Sequence, residues 1–161
     1  MSGAAQKDAM RLTVNGIGRE IAAEGDELLI DVLRHALGLT SVHFGCGAGA
    51  CGACHVLVDG HVVTACDTPM WSVAGKAVTT LEGLGSPEAP HALQTAFIAE
   101  QAMQCGYCIP GILVTSAALL RQKPDPTEHD VRAALDRNLC RCGAHNRIVR
   151  AVLAAAKALQ S

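Results

Sequence analysis

Apolar and polar positions alternate along two stretches in the first half of the chain. In the stretch 10–23 the alternation is centred on an Asn-Gly pair at 15–16, and in the stretch 55–65 on an Asp-Gly pair at 59–60. A period of two residues is typical of a strand with one buried face, and these dipeptides favour tight hairpin turns. The pattern therefore predicts two β-hairpins.

The segment between the two hairpins has a different period. Apolar residues recur with helical spacing over 27–37, and Gly38 follows as a stop signal. A glycine-rich loop comes next, and 77–81 predicts one more short strand after the second hairpin. These elements together predict an α+β domain over 10–83.

The second half of the chain predicts helices only. A connector rich in Gly and Pro spans 84–90 and acts as a linker. After it, helical spacing appears in four segments, at 91–103, 110–122, 127–137 and 145–159. Their short links predict a four-helix bundle over 91–158, and the predicted fold class of the whole chain is α+β.

The composition of the chain excludes several classes of function. The 161 residues are half apolar, only 2% aromatic, and carry a formal net charge of −2. Few stacking rings and no excess of basic residues argue against nucleic-acid binding, and no apolar run is long enough for a transmembrane helix. We therefore expect no nucleic-acid partner and no membrane span.

The first eight residues contain no basic segment followed by an apolar run, and no twin arginine. We therefore expect no secretory signal and a cytoplasmic location. A periplasmic location would require export together with a partner that carries the signal. In a reducing compartment, eight cysteines are expected to be metal ligands or redox centres rather than disulfides.

The first four cysteines follow the spacing C-x4-C-x2-C-x11-C. They are Cys46, Cys51, Cys54 and Cys66. This spacing is typical of plant-type [2Fe–2S] proteins, in which three thiolates of one short loop converge on a small cluster. The gaps within 45–54 contain glycine and alanine alone, which lets the loop curl closely around a cluster.

Other interpretations of this quartet agree less well with the spacing. A disulfide framework suits a secreted chain, and structural zinc sites usually combine two separated C-x2-C pairs. The segment from Cys51 to His55 also matches the C-x2-C-H haem motif, but haem attachment would leave Cys46 and Cys66 without a role. The [2Fe–2S] interpretation uses all four cysteines.

The other four cysteines form a C-x2-C pair and, further along the chain, a C-x-C pair. They are Cys105, Cys108, Cys140 and Cys142. Taken alone, this set fits either zinc or an iron–sulfur cluster. Both pairs are predicted at junctions between helices, where the partial positive charge of helix N-termini favours an anionic centre.

Five short motifs occur in order along the chain. They are GCGAGACGAC at 45–54, VLVDG at 56–60, TTLEGL at 79–84, QCGYC at 104–108 and NLCRC at 138–142. In this order, and with all eight cysteines placed, they resemble the small iron–sulfur subunit of the molybdenum hydroxylases, the xanthine oxidase family. The segment 142–148 is similar to the branch with isoquinoline and nicotinate hydroxylases and some aldehyde oxidoreductases.

The resemblance implies a β-grasp ferredoxin domain at 10–83 with one [2Fe–2S] cluster, followed by a four-helix domain at 91–158 with a second. It implies a molybdenum–molybdopterin cofactor, in the cytosine dinucleotide form, bound mainly by a large partner subunit. It also implies that Gln104 and Cys142 contact the pterin. A flavin subunit or a cytochrome would then accept the electrons.

The function implied by the resemblance is electron transfer from a molybdenum subunit, acting on an aldehyde or an N-heteroaromatic substrate, to that acceptor. The chain contains no acid–base pair or nucleotide-binding motif, so we expect no catalytic residue in it. Two alternatives are a ferredoxin-like binding module stapled by zinc and a free-standing ferredoxin.

Two oxidised clusters with cysteine ligands would change the net charge from −2 to about −6. Anionic centres inside a small protein require N–H donors and nearby cations. Arg141, which lies between two of the cysteines, and Arg147 and Arg150 in the following helix are candidates for that role.

Overall fold

The computed structural model describes residues 8–160 as an α+β fold, so the predicted fold class is confirmed. The expectation of no secretory signal rests mainly on residues 1–7, which lie outside the described residues. No helix within the described range combines the length and the apolar composition that crossing a bilayer requires.

Five strands form one mixed sheet with the order β2-β1-β5-β3-β4. Their bounds are β1 Asp8–Val14, β2 Ile17–Ala23, β3 His55–Val58, β4 His61–Thr64 and β5 Ala77–Thr79. The two hairpins are confirmed, since β1 pairs with β2 and β3 with β4 in antiparallel register. The late strand β5 joins them, parallel to β1 and antiparallel to β3.

The helix predicted over 27–37 is present but irregular. A short helix α1 (Leu29–Asp31) continues directly as a π-helix over Val32–Ala36. Leu29 of α1 and Leu33 of the π-helix are fully buried and pack in the core of the sheet. A three-residue 3₁₀ turn at Met70–Ser72 has no counterpart among the predicted elements, because so short a segment shows no period.

The four predicted helices are present after the sheet. They are α2 Ala92–Ala99, α3 Ile109–Gln122, α4 Glu128–Ala134 and α5 His145–Ala158. The predicted C-terminal bounds of the first and third were wrong. Helix α2 ends early because Gln101 adopts a positive φ of 49°, and α4 ends early because the residues after it hydrogen-bond to a distant loop.

The sheet and the helices have separate apolar cores joined by a small third one. The sheet core includes α1, and the helical core contains Phe97, Ile112 and Ile148. Between them, Leu57 of β3 packs against Val114 and Ala118 of α3. Strand β3 is therefore buried on both faces, and the loop that precedes it is held against the start of α3.

Candidate metal centres

The first quartet is formed by three cysteines of the loop that leads into β3 and by Cys66, which lies two residues after the end of β4. The thiol of Cys46 contacts that of Cys51, and the thiol of Cys54 contacts that of Cys66. Cys54 also interacts electrostatically with Cys51, so the two pairs adjoin. The structure therefore brings all four predicted ligands together, as two pairs of sulfurs.

Backbone N–H groups of the loop point at these sulfurs. The amides of Ala48 and Ala50 donate to Sγ of Cys46 at 3.4 and 3.2 Å, and the amide of Gly49 donates to Sγ of Cys66 at 3.4 Å. The donors at Ala48 and Ala50 lower the pKa of Cys46 to about 6. The loop is thus arranged to stabilise negative charge on sulfur.

Small residues are required where the loop folds back on itself. A Cβ at Gly45 would lie 2.6 Å from Sγ of Cys51. Gly49 has a positive φ of 62°, and a Cβ there would overlap the Asp67 carboxylate. Any larger side chain at these positions would displace a sulfur or open the loop.

Cys54 and Cys108 have a different environment from Cys46. Burial raises the pKa of Cys54 to about 12, and burial likewise raises the pKa of Cys108 to about 12. A thiol of this kind is protonated at neutral pH and loses its proton to a bound metal. Cys54 is buried and Cys108 is partly buried, whereas Cys46 and Cys105 are exposed, so each quartet combines a less exposed ligand with an exposed one.

The second quartet forms where two interhelical junctions meet. Cys105 and Cys108 lie at the start of α3, and Cys140 and Cys142 lie between α4 and α5. The contacts run across the two junctions, from Cys105 to Cys142 and from Cys108 to Cys140. Packing of these helices against one another is therefore what assembles this site.

The donor set of each quartet fits a [2Fe–2S] cluster. Four cysteines hold such a cluster, two on each iron, and in both quartets the sulfurs are grouped two and two. A single zinc ion instead needs four donors around one point. Across residues 8–160, no three His, Cys, Asp or Glu side chains form a group suited to one metal ion.

The two quartets face one another. A cavity of about 350 Å³ is lined by two cysteines from each, Cys46 and Cys51 with Cys105 and Cys108, and also by Arg141. Arg141 is therefore placed beside both sites, as expected from its position between two cysteines.

The other two candidate cations are directed elsewhere. Arg147 donates to the carbonyl of Gln101 at 3.4 Å, and Arg150 forms an ion pair of 3.2 Å with Glu100. Both interactions tie α5 to the end of α2. The prediction that these arginines offset cluster charge is not supported by any contact with a cysteine.

Residues 137–139, here called the bridging segment, hold the loop of the first quartet. The guanidinium of Arg137 donates to the Gly49 carbonyl at 2.9 Å, the side-chain amide of Asn138 to the Gly52 carbonyl at 3.3 Å, and the N–H of Leu139 to the Cys51 carbonyl at 3.0 Å. Cys140 follows at once. The sequence gives no signal for the role of Arg137, since nothing along the chain links it to a loop 88 residues away.

A second set of contacts joins the two halves near His55. Its Nδ1 lies 2.8 Å from the Thr115 hydroxyl of α3, and His55 is buried. Nearer the surface, the Tyr107 hydroxyl donates to the Phe44 carbonyl at 2.6 Å, and the Tyr107 ring stacks on His43. His55 therefore takes part in the packing of α3 against the sheet.

The two residues predicted to contact a pterin lie together at the surface. The side-chain amide of Gln104 donates to the Cys142 carbonyl at 3.2 Å. Gln104 is exposed and Cys142 is partly exposed. This edge of the second quartet could therefore be reached by a ligand held on another chain.

Family models and known proteins agree on the chemistry of both halves. Residues 12–79 match the family model of a 2Fe-2S iron-sulfur cluster binding domain, and residues 80–153 match that of a [2Fe-2S] binding domain. The chain is 49% identical over 146 residues to a nicotinate dehydrogenase subunit of Pseudomonas putida, covering 91% of this chain and 93% of that protein.

Solved structures agree with the fold. The aldehyde oxidoreductase from Desulfovibrio desulfuricans superposes with a TM-score of 0.93 at 46% identity and covers 95% of this chain, which spans only 17% of that longer chain. A chain of quinoline 2-oxidoreductase from Pseudomonas putida superposes with a TM-score of 0.91 at 36% identity, covering 96% of this chain and 97% of that one.

Proposed function

The chain belongs to the family of small iron–sulfur subunits of the molybdenum hydroxylases, and from this membership we propose that it relays electrons out of a molybdenum–pterin subunit through two [2Fe–2S] clusters. The observation that carries the proposal is the pairwise grouping of sulfurs in two quartets that line one cavity. Each cluster, when bound, accepts and releases one electron.

We propose that the first half is a β-grasp ferredoxin domain at 10–83 and that the second is a four-helix cluster domain at 91–158, with 84–90 between them. The position of the first quartet on a loop packed against a mixed sheet supports the former. The assembly of the second quartet by interhelical junctions supports the latter. The proposed ligands are the eight cysteines, four in each domain.

The chain's own atoms offer a short connection between the quartets. The carbonyl of Cys51, a proposed ligand of the first cluster, accepts the N–H of Leu139 at 3.0 Å. Leu139 is bonded directly to Cys140, a proposed ligand of the second. One hydrogen bond therefore joins the backbones of the two ligand sets, and the bridging segment holds that bond in place.

We propose that the edge formed by Gln104 and Cys142 faces the pterin of the large partner. The amide of a glutamine both donates and accepts hydrogen bonds, as the edge of a pterin requires. The surrounding surface supports an interface with another chain here, because Met103, Tyr107 and Leu139 are large and exposed. The cytosine dinucleotide form of the cofactor is part of the same proposal.

We propose that the substrate and the final acceptor are bound by other subunits. We propose an aldehyde or an N-heteroaromatic substrate, since the similar proteins include a nicotinate dehydrogenase, an aldehyde oxidoreductase and a quinoline oxidoreductase. A flavin subunit or a cytochrome is the proposed acceptor. A cytoplasmic location is proposed, or a periplasmic one if a signal-bearing partner is exported with this chain.

Metal and sulfide analysis of anaerobically purified protein tests the proposal. We expect about four irons and four acid-labile sulfides per chain, no zinc, and two distinct EPR signals after reduction. Zinc in place of iron at the second quartet would instead establish the zinc-stapled module. Two clusters on a chain that purifies without any large pterin-containing partner would establish a free-standing ferredoxin.

A further inference from the structure

One peptide group of the first loop lies between a cation and a cysteine sulfur. The carbonyl oxygen of the Gly49–Ala50 peptide accepts a hydrogen bond from Nη2 of Arg137 at 2.9 Å. The N–H of the same peptide donates to Sγ of Cys46 at 3.2 Å. Arg137 is thus connected to the sulfur through a single amide.

Hydrogen bonds in such a chain polarise one another. A positive group bound to a carbonyl draws electron density towards the oxygen, which makes the N–H of that amide a stronger donor. The stronger donor stabilises negative charge on the sulfur that accepts it. Because one-electron reduction makes a [2Fe–2S] cluster more negative, such stabilisation favours the reduced form and raises the reduction potential.

The surroundings make Arg137 a specific partner of this peptide. Gly49 also lies beside Asp67, whose carboxylate accepts a hydrogen bond from Thr64 and brings negative charge to the other side of the loop. Arg137 therefore supplies the positive charge at a peptide that otherwise adjoins a carboxylate. The Arg137 position is itself fixed, because Asn138 and Leu139 bind the neighbouring carbonyls.

We propose that Arg137 is a positioning residue that raises the reduction potential of the first cluster through the Gly49–Ala50 peptide. The proposal rests on the proposed function, since it needs a cluster on the first quartet. It assigns to the helical half of the chain a direct influence on the cluster of the other half. Of the arginines that lie near the quartets, Arg141 lines the cavity, whereas Arg137 acts through the backbone.

The test is an EPR-monitored redox titration of the cluster-loaded protein as it purifies under anaerobic conditions. The variants are Arg137→Gln, which removes the charge, Arg137→Lys, which keeps the charge but not the planar donor, and Arg132→Gln as a matched control. Arg132 precedes the bridging segment on α4 and pairs at the surface with Glu128. The signal of the first cluster is assigned by its absence in Cys54→Ser.

We expect Arg137→Gln to lower the reduction potential of the first cluster. At a given applied potential the ratio of reduced to oxidised cluster should fall by up to about tenfold, which corresponds to a shift of about 59 mV for one electron. We expect a smaller decrease in Arg137→Lys, and no change at the second cluster in either variant. Arg132→Gln should leave both potentials at the wild-type value, because its charge is not connected to a loop amide.

Unchanged first-cluster potential in Arg137→Gln would overturn the proposal, as would an equal shift in Arg132→Gln, which would point to overall charge alone. If Arg137→Gln assembles without the first cluster, Arg137→Lys decides: a lowered potential supports the proposal, and a potential equal to or above wild type overturns it. A wild-type protein with no first-cluster signal would instead contradict the proposed function.

Discussion

Gly111 in α3 touches Gly52 in the first cysteine loop so closely that a Cβ added to Gly111 would overlap the Gly52 carbonyl oxygen. Gly52 has a positive φ of 74° and is itself covered by the carbonyl of Arg137. The backbone of the helical half therefore rests directly on the backbone of the loop, with no side chain between them. This contact sets how closely α3 approaches the loop of the first quartet.

Gly111→Ala tests this contact. Alanine is the better helix former by about 1 kcal/mol, but overlap with the Gly52 carbonyl is expected to cost more, so that the unfolding free energy falls by about 1–3 kcal/mol. Chemical denaturation followed by circular dichroism measures the change. Gly18→Ala, where a Cβ meets nothing within 4 Å, is the control. Equal stability of the two variants would argue against the close contact.

Cys54→Ser and Cys108→Ser separate the two quartets. A serine hydroxyl remains protonated near neutral pH and replaces a thiolate poorly as an iron ligand. We expect each variant to lose about two of four irons, with Cys54→Ser losing the signal of the first cluster and Cys108→Ser that of the second. Cys54→Ser should stop electron flow to the acceptor, and Cys108→Ser should stop reoxidation of the molybdenum centre.

Iron analysis and EPR on the two serine variants check this prediction. Either variant with full iron content, or with full turnover using the physiological acceptor, would contradict the ligand assignment or the order of electron transfer.

Asn138 is expected to be sensitive to substitution. Asn138 is only 2% exposed and its side-chain amide donates to the Gly52 carbonyl, while its Oδ1 has no hydrogen-bond partner among residues 8–160. Asn138→Ala should lower the unfolding free energy by about 1–3 kcal/mol. Asn138→Asp should be less stable still, because it buries a charge that faces a carbonyl oxygen.

Denaturant titration of both Asn138 variants beside Asn146→Ala gives the comparison. Asn146 is exposed and its side-chain oxygen accepts from Arg132, so its variant should remain close to wild type. An Asn138→Asp protein as stable as wild type would contradict the burial of Asn138 against the Gly52 carbonyl.

The start of α2 should lose stability at acid pH. Nδ1 of His91 accepts the N–H of Leu93 at 3.2 Å, which caps the helix. Burial, with a contribution from Arg121, lowers the pKa of His91 below its ordinary value of 6.5. The unfolded chain therefore takes up a proton more readily than the folded one. This cap contributes its full stability above the ordinary pKa and loses that contribution as the pH falls from there through the lowered pKa of the folded state.

His91→Asn keeps a capping acceptor that does not titrate. We expect the unfolding free energy of wild type to fall relative to this variant, by up to about 1 kcal/mol, as the pH goes from about 8 to about 5. Thermal unfolding at several pH values measures the difference. The control is His61→Asn, a substitution at an exposed position of β4, whose stability should change with pH as that of wild type does. If the unfolding free energies of wild type and His91→Asn changed with pH in parallel, the cap would not be titrated in this range.

Short-range features could be predicted from the sequence because they depend on residues that are close together along the chain. The Asn15-Gly16 and Asp59-Gly60 turns, the helical period of α3 and α5, and the cysteine spacing all arise from steric preferences and side-chain periods that act over a few positions. The same holds for Gly45 of the first loop, since its close approach to Sγ of Cys51 excludes larger residues.

The relation between the two halves was decided only by tertiary structure. The bond from Arg137 to Gly49, the packing of Gly111 on Gly52, and the pairing of Cys105 with Cys142 join residues that are far apart along the chain. Neither a hydrophobic period nor a local propensity predicts such contacts, because they form only where the apolar core of the sheet and that of the helices pack together. The sequence by itself therefore determined the elements and the chemistry of the cysteines, and the packing of α3 and the bridging segment determined how the two sites are connected.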